Sequence, residues 1–280
     1  MTKNSSPHHP EQHQDAQGHY ATVNGLTMYY ELHGTGQPLM LLPGGFATID
    51  LSFGPLLPVL TQMRQAIAVE LQGHGHTADI ERPLHYELLA DDIAALLTHL
   101  GLAPADLFGF SLGGGVALQT AIRHPEVVRK LVVASAPGKS AGWSPEARAG
   151  MALISADAMS GSLFHEAYLR STPKPDQWPQ VVAKMHQLLS GQDYDWSQAI
   201  AAIQAPTLIV VGDADSVRVD HAVELLGLLQ GGSGEDERGG IPHAQLAVLP
   251  GTTHPMVMDR VEWLASMLTA FLDAPMPATR

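Results

Sequence analysis

Residues 106–125 read DLFGFSLGGGVALQTAIRHP: a short apolar run, a serine between glycines, two further glycines, and an amphipathic stretch stopped by Pro125. A strand passing into a helix through a glycine-rich turn can cradle a phosphate, present a nucleophile, or let two elements pack closely. The first use fails on required residues. A dinucleotide fingerprint needs a middle glycine where Ser111 stands, and it usually opens its domain. A phosphate loop needs Lys then Ser or Thr after its second glycine, where this chain has Gly115 and Val116. The template that fits is G-x-S-x-G, met by Gly109, Ser111 and Gly113. In that turn the serine is lifted above the sheet on a sharp bend, and the small residues two before and two after leave room for the chain to double back. The serine oxygen then lies at a helix N-terminus, where the dipole and free N–H groups favour a developing negative charge.

Working outward, apolar runs alternate with helical patterns. The runs YATV and LTMYYELHG flank Asn24-Gly25, a dipeptide suited to a hairpin turn with positive φ. PLMLLPGG (38–45), QAIAVEL (65–71), DLFGF, VRKLVVASA, PTLIVVGD (206–213) and AQLAVLPG (244–251) read as further strands. FGPLLPVLTQM reads as a short helix. YELLADDIAALLTHLG (86–101) places Leu89, Ile93, Leu96, Leu97 and Leu100 on one helical face. A last helix from about Met256 carries Val257, Val261, Leu264, Leu268 and Leu272 on one face. The alternation predicts an α/β fold with a mostly parallel central sheet flanked by helices and an antiparallel hairpin at its edge.

The segment 137–198 breaks the alternation. It holds Trp143, Met151, Phe164, Tyr168, Trp178, Met185, Tyr194 and Trp196, and reads as a helical lid inserted into a core made of 19–136 and 199–273. Residues 1–18 read as a polar tail and 274–280 as a second one. The tail's His8, His9 and His13 fit no folded metal motif, and no metal is expected.

Composition narrows the partners. The 280-residue chain carries a formal charge of −13, with 28 acidic against 15 basic residues and no cysteine. Without clustered Lys and Arg, binding to nucleic-acid phosphates or anionic lipid is disfavoured; the densest charge run, GEDER at 234–238, is mainly acidic. Disulfides, thiolate metal sites and cysteine nucleophiles are absent. No run of residues has the length and apolarity of a membrane span, and the first residues lack the apolar stretch of a secretory signal, so a cytoplasmic location is the default expectation.

A serine nucleophile needs a base, and the base needs an orienting carboxylate. In this architecture they follow in the order Ser, acid, His. PTLIVVGDADSV offers Asp213 and Asp215 after one apolar run, and AQLAVLPGTTH ends in His254 after the next. Both places are carboxyl ends of strands, the edge where open α/β sheets hold ligands.

With these residues in view the chain resembles the α/β-hydrolase fold superfamily, in its branch of lid-bearing esterases, lactonases, haloperoxidase-like enzymes and carbon–carbon bond hydrolases, from about Tyr20 to Leu272. GFSLGGGVALQTAIRHPEVVRKLVVASA is similar to that family's elbow, helix and next strand. VVGDADSV resembles its acid loop, whose carboxylate stands three residues after the glycine; the resemblance therefore implies Asp215 as the acid, and LPGTTHPM implies His254 as the base. LLPGGF resembles the loop that donates the first oxyanion N–H, with Pro43 where the family often has His. That implies the amides of Gly45 and Leu112 as the oxyanion hole, with Phe46 beside it. VELQGHGHT resembles a mainly structural Asp-x-Arg-Gly-His-Gly-x-Ser stretch, with Glu70, Gln72 and Thr77 at its variant positions. The implied activity is cofactor-free serine hydrolysis of a small or medium, mostly apolar ester or lactone. Ser111, His254 and Asp215 would do the chemistry, and Phe46, Trp143, Phe164 and Tyr168 would touch substrate. Carboxylesterase leads, with lactonase, carbon–carbon hydrolase or perhydrolase, and a non-catalytic binder on the same fold as alternatives.

Overall fold

The structure is a computed structural model that describes residues 18–191, 193–230 and 243–276. The polar stretch with His8, His9 and His13 and the acidic run at 234–238 lie outside the described residues. Eight strands form one sheet: β1 (Gly18–Val23), β2 (Leu26–His33), β3 (Gln37–Leu42), β4 (Arg64–Val69), β5 (Ala105–Phe110), β6 (Val128–Ala134), β7 (Thr207–Ala214) and β8 (Ala244–Thr253). Their spatial order is β1-β2-β4-β3-β5-β6-β7-β8. The pairs β1/β2 and β2/β4 are antiparallel, and every other neighbouring pair is parallel. The hairpin turns at Asn24 (φ 49°) and Gly25 (φ 80°), both left-handed as the Asn-Gly pair requires.

Helices α1 (Ile49–Phe53), α2 (Leu57–Leu60), α3 (Tyr86–Leu100), α4 (Leu112–Arg123), α5 (Pro145–Ala152), α6 (Leu163–Ser171), α7 (Trp178–Ser190), α8 (Ser197–Ile200), α9 (Val219–Leu229) and α10 (Val261–Asp273) complete the described chain. Two apolar clusters occupy opposite faces of the sheet. One joins Leu89, Ile93, Leu96 and Leu97 of α3 to Val116 and Ala117 of α4, and the other joins Phe53 and Phe108 to Leu264, Leu268 and Leu272 of α10. The strands bury side chains on both faces, as β3 does with Leu39, Met40, Leu41 and Leu42, so their sequences read as continuous apolar runs. Helix α3 stops at Gly101, which takes the left-handed conformation (φ 66°) that ends a helix without strain.

Three details differ from the sequence reading. The expected helix across FGPLLPVLTQM is two short pieces, α1 beginning upstream at Ile49 and α2 confined to Leu57–Leu60, because Gly54 and Pro55 interrupt the pattern. The last helix starts at Val261; Pro255–Val257 form a separate 3₁₀ turn, and Arg260 has ψ 50°, outside the helical region. Helix α9, between β7 and β8, has an apolar face with Ala222, Leu225 and Leu229 buried.

Between β6 and β7 the chain leaves the core and builds α5 to α8. Its exit and return are stitched together: Ser140 N–H donates to Tyr194 O (2.9 Å), Trp196 N–H to Gly138 O (2.9 Å) and Tyr194 N–H to Ser140 Oγ (2.6 Å). Helix α7 is tied to the core by Asp79, whose buried carboxylate accepts from Lys184 Nζ (2.6 Å), Gln180 Nε2 (2.9 Å) and Gln72 Nε2 (2.7 Å). Among the described residues no helix is long and apolar enough to cross a membrane, and no cluster of three or more His, Asp or Glu side chains could hold a metal ion.

Candidate active site

At the end of β5 the chain turns directly into α4 through Ser111, at φ 53° and ψ −116°. A serine side chain rarely adopts this conformation, and two glycines make it sterically possible. A Cβ on Gly109 would lie 2.1 Å from Gly113 O, and one on Gly113 would lie 2.1 Å from Leu42 O, both fixed backbone atoms. The remaining glycines are packing residues: a Cβ on Gly114 would meet Ala136 Cβ at 2.5 Å, and one on Gly115 would meet Tyr86 Cε1 at 2.5 Å.

Ser111 keeps partial solvent access, and its Oγ lies 2.9 Å from His254 Nε2. His254 Nδ1 lies 2.7 Å from Asp215 Oδ1. An ionised carboxylate only accepts, so Nδ1 carries the proton and Nε2 is left to accept the serine proton. Asp215 is well supported. Its side chain is fully buried, Oδ1 also accepts from Val217 N–H (3.1 Å), and Oδ2 accepts from Ser135 Oγ (2.6 Å) and Gly212 N–H (3.2 Å). Burial pushes its carboxyl up, but the hydrogen bond and charge of His254 and the donors from Ser135 and Val217 outweigh it. The group is held below the usual carboxylate range.

Asp213 does a different job. It is exposed and accepts from Gly251 N–H (2.9 Å) and Thr252 N–H (3.1 Å), which fixes the end of β8 two residues before His254. These two backbone donors, Gly251 first, also lower its carboxyl.

The loop after β3 forms the opposite wall. Ala47 N–H donates to Gly44 O (3.2 Å), closing a turn whose central residues are Gly45 and Phe46, the latter at φ 62°. Ser52 of α1 accepts from Gly44 N–H (3.2 Å) and holds the loop from behind. A Cβ on Gly44 would lie 3.7 Å from Ser111 Cβ, and one on Gly45 would lie 3.9 Å from Leu112 Cβ. The loop therefore abuts the elbow with Pro43 in place. The first N–H groups of α4 have no intrahelical acceptors, so the Leu112 amide stands beside the Gly45 turn. The Glu70 stretch buttresses this loop: its carboxylate accepts from Ile49 N–H (3.3 Å), His76 N–H (2.6 Å) and His76 Nδ1–H (2.9 Å).

Of the aromatic residues expected at substrate, Phe46 is buried, with ring centroids 5.8 Å from Trp178 and 6.4 Å from Phe164. Phe164 is exposed (38%). Trp143 is buried edge-on to His254 at 5.7 Å. Tyr168 is buried within the insertion, its ring centroid 5.0 Å from that of Trp178 at a 47° tilt, and its hydroxyl donates to Lys174 O (3.0 Å), so its polar tip is committed to the insertion itself.

Sequence reasoning did not single out Ser135, Phe110 or His74, and it named Met185 and Trp178 as members of the insertion without placing them at the site. Met185 Cε would lie 3.0 Å from a Cβ on Gly45. His74 is fully buried and donates from Nδ1 to Gln72 O (2.9 Å); burial lowers its basicity, and its Nε2 has no hydrogen-bond partner. The Trp178 indole N–H is likewise unpartnered.

A doubly wound sheet of this order with a strained serine elbow, a buried acid and a histidine on successive strand ends defines the α/β-hydrolase class. A family profile described as alpha/beta hydrolase fold matches residues 37–158, and the chain has the α/β-hydrolase fold. It is similar to a Caulobacter vibrioides protein assigned as the carbamate hydrolase RutD, at 36% identity over 128 residues, or 44% of each chain, so this match spans less than half of that relative. A 2-hydroxymuconate semialdehyde hydrolase from a Pseudomonas species is 28% identical over 66% of this chain and 72% of its own length. The crystal structure of an enol-lactonase from Burkholderia xenovorans LB400 superposes with a TM-score of 0.68 at 19% identity, covering 91% of this chain and all of that one, which is a likeness of fold.

Proposed function

We propose that the protein is a serine hydrolase that cleaves an ester-type bond of a small or medium, mostly apolar substrate through an acyl-enzyme. The observation that carries this reading is the continuous hydrogen-bonded chain Ser111 Oγ–His254 Nε2 (2.9 Å) and His254 Nδ1–Asp215 Oδ1 (2.7 Å). His254 takes the Ser111 proton as Oγ attacks the carbonyl carbon, and Asp215 stabilises the imidazolium while keeping it in the productive tautomer. The negative charge that develops on the carbonyl oxygen falls between the Leu112 and Gly45 amides, at the N-terminus of α4. His254 then protonates the leaving oxygen. Water, deprotonated by the same histidine, releases the acyl group and restores Ser111.

Phe46, Phe164 and Trp178, with Met185 against Gly45, support an apolar acyl site. Carboxylesterase activity is therefore the leading reading. Lactone opening and carbon–carbon bond hydrolysis use the same nucleophile and base, and the relatives described above act in those neighbouring ways by name. The expected substrate is an uncharged ester or lactone, with no nucleic acid or membrane partner and a cytoplasmic setting.

The test is labelling with a fluorophosphonate probe, followed by hydrolysis of p-nitrophenyl esters graded by acyl length, with lactones alongside. Ser111 should carry the adduct, and Ser111→Ala should lose about 10⁶ in kcat because the three residues act as a unit. Folded wild-type protein without an adduct at Ser111 would instead identify a binding protein built on this fold.

A further inference from the structure

We propose that Phe110 and Trp143 form an aromatic clamp on the His254 imidazole, in which both rings position the base and the Phe110 ring stabilises the imidazolium that it becomes during the reaction. The proposal rests on His254 being the base of a serine hydrolase, and goes beyond that reading by assigning work to two residues that touch neither Ser111 Oγ nor the acid.

Phe110 is the last residue of β5, immediately before the nucleophile. Strand alternation puts it on the face that carries α10, yet at the strand's end its ring is only partly buried. Its centroid lies 5.2 Å from the His254 centroid with a 33° angle between the planes, so the two rings lean against each other in contact. A cation within about 6 Å of an aromatic centroid is attracted by the ring quadrupole. The neutral imidazole gains little from this, whereas the protonated ring gains the full electrostatic term. The same Phe110 ring would lie 3.2 Å from a Cβ on Gly44, so it is wedged between the oxyanion loop and the base. A bulkier residue at position 44 would push it into His254.

Trp143 meets the imidazole from another side, edge-on at 5.7 Å and a 63° interplanar angle. It comes from the start of the insertion, but its backbone is fastened to the acid loop. Ser144 N–H donates to Ser216 O (2.8 Å), Arg218 N–H donates to Gly142 O (2.9 Å), and Trp143 pairs with Val217 in a short antiparallel bridge. Val217 N–H in turn holds Asp215 Oδ1. Acid, base and insertion are thus registered to one another through a few backbone bonds, and Trp143 is the side chain that carries that register to the imidazole. Around His254 the recorded contacts are Asp215 at Nδ1 from the β7 loop, Ser111 at Nε2 from the elbow, Phe110 from β5 and Trp143 from the insertion; Asp215 is the charged group among them.

The quadrupole acts equally on the imidazolium of the resting enzyme and on that of the transition state. Phe110→Leu should therefore do two linked things. The plateau of kcat should fall about 3- to 30-fold with KM nearly unchanged. The acid limb of the kcat/KM–pH profile should move to lower pH by the matching logarithm, about 0.5 to 1.5 units. Phe110→Tyr, which keeps the aromatic face, should restore both. Trp143→Leu should lower kcat and Trp143→Phe should recover most of it. A purely structural role would lower the plateau and leave the limb where it was.

An independent arm uses NMR of the imidazole Cε1–H of His254 in a Ser111→Ala background, where no turnover is needed. Its titration midpoint should fall on Phe110→Leu and return on Phe110→Tyr. An unmoved midpoint, or equal shifts for Leu and Tyr, would overturn the clamp. If the wild-type protein hydrolyses nothing while the midpoint moves as expected, the clamp stands and the hydrolase reading fails.

Discussion

Replacing Asp215 by Asn tests the acid assignment most directly, because Asp213 sits two residues away and provides an internal control. Asp215 accepts four hydrogen bonds, from His254 and Val217 on Oδ1 and from Ser135 and Gly212 on Oδ2. An asparagine amide can keep only one of these two faces as an acceptor. If its oxygen faces His254, the NH₂ meets the Gly212 N–H, and a buried donor pair is left unsatisfied at a cost of about 1–3 kcal/mol. If its NH₂ faces His254, Nδ1 must become the acceptor, Nε2 carries the proton, and the base cannot take a proton from Ser111. In either case the charge that stabilises the imidazolium is gone. The expected loss is about 10⁴ in kcat, equivalent to roughly 5.5 kcal/mol of transition-state stabilisation. Asp213→Asn keeps one acceptor for the Gly251 or Thr252 N–H and should stay within about tenfold of wild type. Steady-state hydrolysis of a p-nitrophenyl ester, with thermal melting to verify folding, reads both. Because the Asp215 carboxyl is held below its ordinary range, its contribution to stability is present above the unfolded carboxylate range, about pH 4, and is lost as pH falls through the lower folded value. Asp215→Asn should therefore flatten the acid side of the stability–pH curve. A folded Asp215→Asn enzyme within tenfold of wild type, beside a crippled Asp213→Asn, would refute the assignment.

Further outcomes follow from the same geometry. Gly113→Ala would force a Cβ against Leu42 O and should cost at least about 3 kcal/mol, whereas Gly150→Ala, in α5 with nothing within 4 Å of the new Cβ, should stabilise by about 0.5–1 kcal/mol; melting temperatures separate the two. Lys184→Met removes a partner of the buried Asp79 carboxylate and should cost about 1–3 kcal/mol while making α7 and its neighbours more sensitive to limited proteolysis. Phe46→Gly relieves a positive-φ side chain, worth about 1 kcal/mol, but empties a buried aromatic site worth about 3–5 kcal/mol, so the melting temperature should fall, and kcat/KM for long or aromatic acyl esters should fall relative to acetate.

The elbow was readable from sequence because its requirement is local. Gly109 and Gly113 are small for a steric reason confined to one turn, and the apolar run before them and the helical pattern after them identify the turn. The choice between Asp213 and Asp215 was not local. Both are carboxylates after the same strand, and family resemblance alone favoured the second. Their roles diverge only because the amides of Gly251 and Thr252, some forty residues on, take the first and leave the second to His254. Ser135 looked like the end of a strand, and Phe110 like its core; each acquires its contact from a segment far along the chain. Boundaries failed where proline and glycine chemistry cut a periodic pattern, as at Gly54-Pro55 and at Pro255 ahead of α10.

Backbone strain follows the site. Besides Asn24 in the hairpin, the described residues with positive φ that are not glycine are Phe46, Ser111 and Ser135. They lie just beyond the carboxyl ends of β3, β5 and β6, which are adjacent in the sheet. The next two strands in that order, β7 and β8, supply Asp215 and His254, so five neighbouring strand ends each give the site one element. Such conformations cost on the order of 1–3 kcal/mol each and persist only where neighbours over-determine them. Here the sheet does so. Ser111 N–H donates to Ala134 O on β6 (2.9 Å), and Ser135 N–H donates to Val210 O on β7 (2.8 Å), so these two strained serines are each held by the strand beside them. The ladder that pins Ser111 therefore continues through Ser135 to Asp215, which its hydroxyl supports. A perturbation of β6 should move Ser111 and Asp215 together.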